Sequence, residues 1–435
     1  MKRVFMKTGL MLLAIGLLMA CSSGDDMESD PNENPETPDP EYNDSMVVDM
    51  LPQTCAIELT LEQREYVKKN NDFSFNLYRA IHAAQEEKKS NITSPLSVTY
   101  VMGMLNDGAD GKTEEEITNV LGFGDGNKMS INEYCQAFIQ QAPLADPSVK
   151  LRIADLVAAN NDVVLEDRFV KNMQDYYEAE VASLDFSEQA SLDYLNNWCK
   201  EKTEGMIPKI LDELSPETRL VLMNAIFFKA TWTDKFDEKD TKDEPFTRAD
   251  GTTRTLPMMY RNAQILYGAN ETFSSVCLPF GSGNKYMMYV LLPSEGKTVD
   301  DVIKVLTNEY WELNRPSTPT IVDLKLPRFS TNYDVVLNDI ISQLGAPSMF
   351  ECGKADFTGI SKNYMNLYVD LMKQKATIEV SEEGTKTSAV TVALMASENY
   401  IEEKKASFHA NRPFVYLIQE WDTRAVFFIG TFQGE

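Results

Sequence analysis

The feature that most constrains this chain is a change in the period of its apolar residues near residue 210. Before that point the spacing is helical. Asn71-Asp72 is placed to cap a helix carrying Phe73, Leu77 and Ile81 on one stripe. Ser94-Pro95 reads as a helix start, serine as cap and proline at the first position, continuing through Val98, Val101, Met102 and Leu105. A further helix is predicted from Glu114 to Leu121. After residue 210 the pattern becomes that of strands. Leu220 to Lys229 is an almost unbroken apolar run, which predicts a strand buried on both faces. Tyr286 to Leu292 reads the same way, and Val322 to Phe329 alternates as a half-exposed strand should. Phe414–Ile418 and Ala425–Ile429 flank Trp421 to Arg424 as a hairpin. Helices first and strands later predict an α+β fold. The 435 residues leave room for one large domain or a few small ones.

The first twenty residues stand outside that pattern. Lys2, Arg3 and Lys7 precede a short apolar stretch, Gly9 to Ala20, which reads as a secretory signal and is too short to span a bilayer. It ends Leu18-Met19-Ala20-Cys21, which resembles the lipobox of bacterial lipoproteins and makes Cys21 the expected lipidation site. Residues 21–58 are acidic and proline-rich, with little to bury, and are expected to be a disordered tether. Acids directly after Cys21 resemble the surface-export signal of Bacteroidetes lipoproteins, or serve as a plain solvated spacer. The expected address is export with lipid anchoring in the outer membrane, on its periplasmic or surface face.

Charge and residue counts exclude several functions. The formal charge of −26, falling to −29 once the three cations of the leader are removed, argues against a nucleic-acid partner. The five cysteines besides Cys21 are odd in number and irregularly spaced, so neither a disulfide framework nor a metal site is expected. The only histidines are His82 and His409, and no hydrolase or nucleotide-binding motif accompanies them, so no catalytic residue, metal or cofactor is assigned.

Several short motifs then occur in a fixed order. They are Asn91 to Ser97 (NITSPLS), Gly108-Ala109 followed by Thr113 to Ile117, and Trp198 with Thr203 to Ile207 (TEGMI). Asn224 to Trp232 (NAIFFKATW), Pro257-Met258-Met259 and Leu326 to Phe329 (LPRF) follow, then Glu382 to Thr385 (EEGT) and Phe408 to Phe414 (FHANRPF). Together they resemble the serpin family over about residues 59–435. The resemblance implies three β-sheets, about nine helices and an exposed reactive-centre loop at about residues 384–407. It also implies a mechanism. A peptidase cuts the loop, the loop inserts as a new strand in the main sheet, and the acyl-enzyme is dragged along and distorted.

Site residues follow from the same resemblance. Glu382, Glu383, Gly384, Thr385, Thr387, Ser388 and Ala389 match the hinge from which the loop swings. Ser94, Ser97, Asn224 and Gln374 match the polar shutter below the sheet centre; the family often has histidine where this chain has Gln374. Lys229, Trp232 and Arg328 match the breach where the loop first enters, Arg328 being the ion-pair partner of Glu382. A count of seventeen residues from Glu382 puts the cut bond between Glu398 and Asn399, with Leu394, Met395 and Tyr400 as alternatives.

The loop has the composition that insertion requires. Residues 384–407 contain one glycine and no proline. From Thr385 one parity reads Thr, Thr, Ala, Thr, Ala, a small uncharged face suited to burial; Lys386 falls on the other. The expected partners are serine or cysteine endopeptidases, held covalently by a monomer liable to polymerise, because an exposed strand-forming loop is a pairing hazard. The alternative is a non-inhibitory serpin used for binding or adhesion, since Thr387 and Val390 are larger than the alanines usual in inhibitory hinges.

Overall fold

The computed structural model describes residues 54–124, 126–384 and 404–435. In chain order its elements are α1 (Leu61–Ala83), β1 (Asn91–Thr93), α2 (Pro95–Gly108), α3 (Gly111–Val120), α4 (Lys128–Ala145), β2 (Lys150–Asn160), α5 (Asp167–Tyr177), β3 (Glu180–Leu184) and α6 (Gln189–Lys202). The strand-rich half follows with β4 (Leu220–Lys229), β5 (Lys242–Thr247), β6 (Thr253–Ala269), β7 (Phe273–Phe280), β8 (Tyr286–Pro293), α7 (Val299–Val305) and α8 (Asn308–Asn314). It ends with β9 (Thr318–Pro327), β10 (Phe329–Val336), α9 (Asn338–Leu344), β11 (Lys373–Val380), β12 (Lys405–His409), β13 (Phe414–Glu420) and β14 (Val426–Phe432). Among the described residues there are nine α-helices and three sheets, as expected.

The largest sheet has nine strands in the order β1-β14-β13-β8-β7-β6-β9-β12, with β5 also on β6. The long β6 serves three partners: Thr253–Met258 pairs with β5, Met258–Tyr267 with β9 and Leu266–Ala269 with β7. The other two sheets are β3-β2-β4 and β10-β11. Helix α2 enters the main core almost wholly buried, from Leu96 to Gly108, and so lies beneath both small sheets. Helix α6 covers the opposite face of β2 and β4 with Leu195 and Trp198 against Leu156, Met223 and Ala225.

Four local expectations are corrected. Asn71 and Asp72 lie inside α1, which starts eleven residues earlier at Thr60 with a capping box to Gln63. Their side chains serve tertiary bonds instead: Val426 N donates to Asn71 Oδ1 (3.1 Å) and Asn308 N to Asp72 Oδ1 (2.7 Å). The strand expected over 322–329 is divided at Arg328 between β9 and β10. Strands β2 and β3 interrupt the helical half; the apolar content of β2 reads equally as helix or strand. Finally, packing begins before residue 59: Ile57 is buried and Cys55 N donates to Ala145 O (3.1 Å).

Candidate functional site

Strands β4 and β11 belong to different sheets, and between them lies a slot. A cavity of about 210 Å³ fills its lower part. Its floor is Ser97, Val98, Val101 and Leu105 of α2, its walls are the first half of β4 and the start of β11, and Ile210–Ser215 closes it from the α6 side. This corrects the expectation that β4 is buried on both faces. Leu220, Val221, Leu222, Asn224 and Ile226 are only half-buried, because the outer edge of β4 has no neighbouring strand among the described residues. Among the described residues, the backbone groups on these edges of β4 and β11 have no ladder partner across the slot.

The shutter residues gather at the floor. Ser94 caps α2. Gln374, at the start of β11, accepts from Ser94 N (3.1 Å) and donates to Ser94 O (2.8 Å), while the Thr93 hydroxyl also donates to Gln374 Oε1. Ser97, Asn224 and Gln374 line the same cavity. Asn224 is not bonded to Gln374, however. It turns back to β2 and donates to Asp155 Oδ1 (3.0 Å), directly opposite in register. Asp155 is a residue that the sequence reading missed. An acid standing alone within Ile153–Ala159, an apolar stretch, was the signal available.

The top of the slot is closed by a compact clasp. After β11, Ser381 to Gly384 form a tight turn, with Gly384 N donating to Ser381 O (3.0 Å) and Ser381 N to Gly384 O (3.2 Å). The chain reverses at Glu382-Glu383, and Gly384 bridges antiparallel to both Ser381 and Thr231. The first residue after the turn thus sits between the two edges of the slot. Only glycine fits there: φ is +91°, and a Cβ would lie 2.8 Å from Ala230 O.

Trp232 holds this turn from the β4 side. Its backbone N donates to Glu383 O (3.0 Å) and its indole Nε1 to Ser381 O (2.8 Å), while its ring stacks on Phe280 at 4.3 Å. Glu382 is 2% exposed and receives Arg328 through two bonds, at 2.9 and 2.5 Å, and the Thr241 hydroxyl at 2.7 Å. Burial pushes its carboxyl up, but the bonds from Arg328 and Thr241 outweigh burial and hold it below the usual carboxylate range. Arg328 is raised in turn by the same bond. Lys229 does not join the clasp. It stands at the end of β4 opposite Lys150, where Glu204 is the nearby acid. Thr241 and Phe280 were invisible to sequence reading because each reaches the clasp from a separate part of the chain.

The remaining assignments lie outside the described residues: the leader and Cys21, most of the tether, Thr385, Thr387, Ser388 and Ala389, and the bond between Glu398 and Asn399 with its alternatives Leu394, Met395 and Tyr400. The chain is described again from Lys404, whose carbonyl accepts from Ile321 N (2.9 Å) as β12 joins β9 in parallel. The two histidines make structural pairs, His82 with Asp300 (2.8 Å) and His409 with Asp323 (2.9 Å). All five cysteines among the described residues are free.

Comparisons with known proteins agree with this geometry. The profile of the family described as Serpin (serine protease inhibitor) matches residues 68–433. Serpin A3-1 of Bos taurus is 32% identical over 390 residues, covering 88% of this chain and 93% of that protein. Among solved structures, the thermophilic serpin tengpin in its native state superposes with a TM-score of 0.76 at 28% identity, covering 89% of this chain and 98% of tengpin. Human thyroxine-binding globulin, solved with its hormone, gives 0.75 at 26% identity, covering 85% of this chain and 98% of the globulin. The chain belongs to the serpin family.

Proposed function

We propose that this protein is a single-use, irreversible inhibitor of serine or cysteine endopeptidases, in which the loop beyond Gly384, once cut, enters the slot between β4 and β11 and traps the acyl-enzyme. One observation carries this reading: the slot stands open, and the chain has already turned at Glu382-Glu383 so that Gly384 pairs with both of its edges. A strand following Gly384 in the same direction would run antiparallel to β11 and to β4, satisfying both edges. The alternation of small residues from Thr385 to Ala393 suits the face that would meet α2. The bait bond in this reading is Glu398–Asn399, which suits a peptidase preferring acidic residues. The protein acts as a monomer with a liability to polymerise. It is exported and held at the outer membrane by lipid on Cys21.

The test is to mix the purified protein with elastase-like, chymotrypsin-like, Glu-specific and papain-like peptidases and to examine the products on denaturing gels. A denaturant-resistant adduct is expected, with release of a C-terminal fragment beginning at Asn399. The second reading, a serpin that binds without trapping, is favoured by the bulk of Thr387 and Val390 and has a parallel in thyroxine-binding globulin, a structural relative solved with a hormone. Cleavage within 385–403 across the panel with no adduct would establish it instead.

A further inference from the structure

Asp155 lies in the middle of β2, 1% exposed, and no cation pairs with it among the described residues. One carboxylate oxygen, Oδ1, accepts from Asn224 Nδ2 at 3.0 Å. The other, Oδ2, is buried and has no partner. The amide oxygen of Asn224, Oδ1, is also buried and without a partner. The two residues face each other directly across the β2–β4 ladder, so the two orphaned oxygens belong to one pair of planar groups already joined on one side. Two bare acceptors on one cross-strand pair in a buried setting are costly. A single proton on Asp155 Oδ2 removes both defects at once. The acid O–H then donates to Asn224 Oδ1 while the amide N–H donates to Asp155 Oδ1, closing a cyclic acid–amide pair.

We propose that Asp155 and Asn224 form a proton-held clasp that secures the β4 edge of the slot, and that loss of this proton loosens that edge. Asn224 lines the cavity between β4 and β11, so the clasp acts on the wall that an inserting strand would meet. The surroundings favour the neutral acid. The titratable groups facing Asp155 are Tyr100 from α2, Cys135 from α4 and Tyr177 from α5; all are buried and all are pushed up by burial, so they stay uncharged. Burial pushes the Asp155 carboxyl itself up to about 7, against partial relief from the Asn224 amide. The proton is therefore held or lost near neutrality.

The sign of the linkage is definite. Between about pH 4 and about pH 7 the folded chain keeps a proton that the unfolded chain has released, so stability falls as pH rises through that window and levels above it. Asp155→Asn is nearly isosteric, keeps an amide opposite Asn224 and does not titrate. It should raise the thermal unfolding midpoint at about pH 8, and the gain should shrink toward acid by up to about tenfold in the unfolding equilibrium per pH unit. A gain or loss of the same size at every pH would overturn the proposal.

Infrared difference spectra of the intact protein supply an independent readout. A carbonyl band of a buried protonated carboxyl should vanish as pH rises through about 7 and be absent from Asp155→Asn. Glu420 is another buried carboxyl pushed up, by burial against bonds from Thr423 and the backbone. Glu420→Gln should leave the Asp155 band in place, which assigns it even if Asp155→Asn does not fold. Wild-type spectra with no such band titrating near neutrality would overturn the clasp outright.

Discussion

At the scale of single residues, the turn at Ser381–Gly384 depends on an ion pair that is buried on one side only. Glu382 is 2% exposed, whereas the Arg328 side chain is 47% exposed. Removing the arginine strands a carboxylate; reversing the glutamate puts a second cation beside the first in a space shaped for one acid. Glu382→Lys should therefore cost about 3 kcal/mol at the clasp, the lower end for a broken buried pair because Arg328 keeps access to water. The turn at Ser381–Gly384 would open, freeing the head of the slot to accept the loop of another copy. Polymers are the expected outcome, and size-exclusion chromatography after mild heating checks it; a profile of monomer alone would refute it. The same pair has an acid limit. Because the Glu382 carboxyl is held below its usual range, its contribution is present above the ordinary carboxylate range and is lost as pH falls through its lowered value. Glu382→Gln should flatten that acid loss of stability, as read from unfolding midpoints in acid. Asp155 behaves in the opposite sense, losing its contribution toward neutrality, so the uncut protein should be most stable between the two limits.

At the scale of elements, what matters is the edge that β4 and β11 leave empty. Seating one strand of about ten residues between them adds about ten backbone hydrogen bonds. At roughly 0.5–1.5 kcal/mol net each, that is on the order of 10 kcal/mol, comparable to the whole stability of an ordinary domain. Cutting the loop without trapping an enzyme should then raise the unfolding midpoint by on the order of 10–20 °C. Calorimetry before and after limited proteolysis reads this directly, and an unchanged midpoint would mean that the slot does not fill. The elements themselves were largely legible in the sequence. Leu220–Lys229 is β4 to the residue, and Ser94-Pro95 opens α2 as read, because apolar period and capping chemistry are local signals. The half-exposure of β4 was not legible, since an apolar run does not say whether a neighbour will be present on each side. The division at Arg328 did carry a local signal, Pro327, which cannot donate to a ladder and marks where β9 ends before β10 begins at Phe329. Glu382 to Gly384 and Trp232 were singled out in the sequence by motif, but Thr241 meets the turn only through a tertiary contact.

At the scale of the whole molecule, the formal charge of −26 acts on both possible fates of the slot. Capture of a peptidase begins with diffusional encounter, and a strongly acidic inhibitor draws basic enzymes toward it and slows acidic ones. Added salt shortens the screening length from about 10 Å at 0.1 M to about 3 Å at 1 M, which removes that bias. Adduct formation with a basic peptidase should therefore slow by about tenfold or more between low and high salt. Polymerisation also begins with an encounter, but between two copies of the same acidic chain, and there the charge is repulsive. The same salt that slows capture should speed polymer growth from heated protein. Two measurements on one preparation thus have opposite expected slopes: the second-order rate of adduct formation falling with ionic strength, and the rate of polymer formation rising. Equal slopes, or none, would mean that the net charge is spread too evenly around the loop and the slot to steer either encounter, and that selectivity among peptidases lies in the bait residues near Glu398 alone.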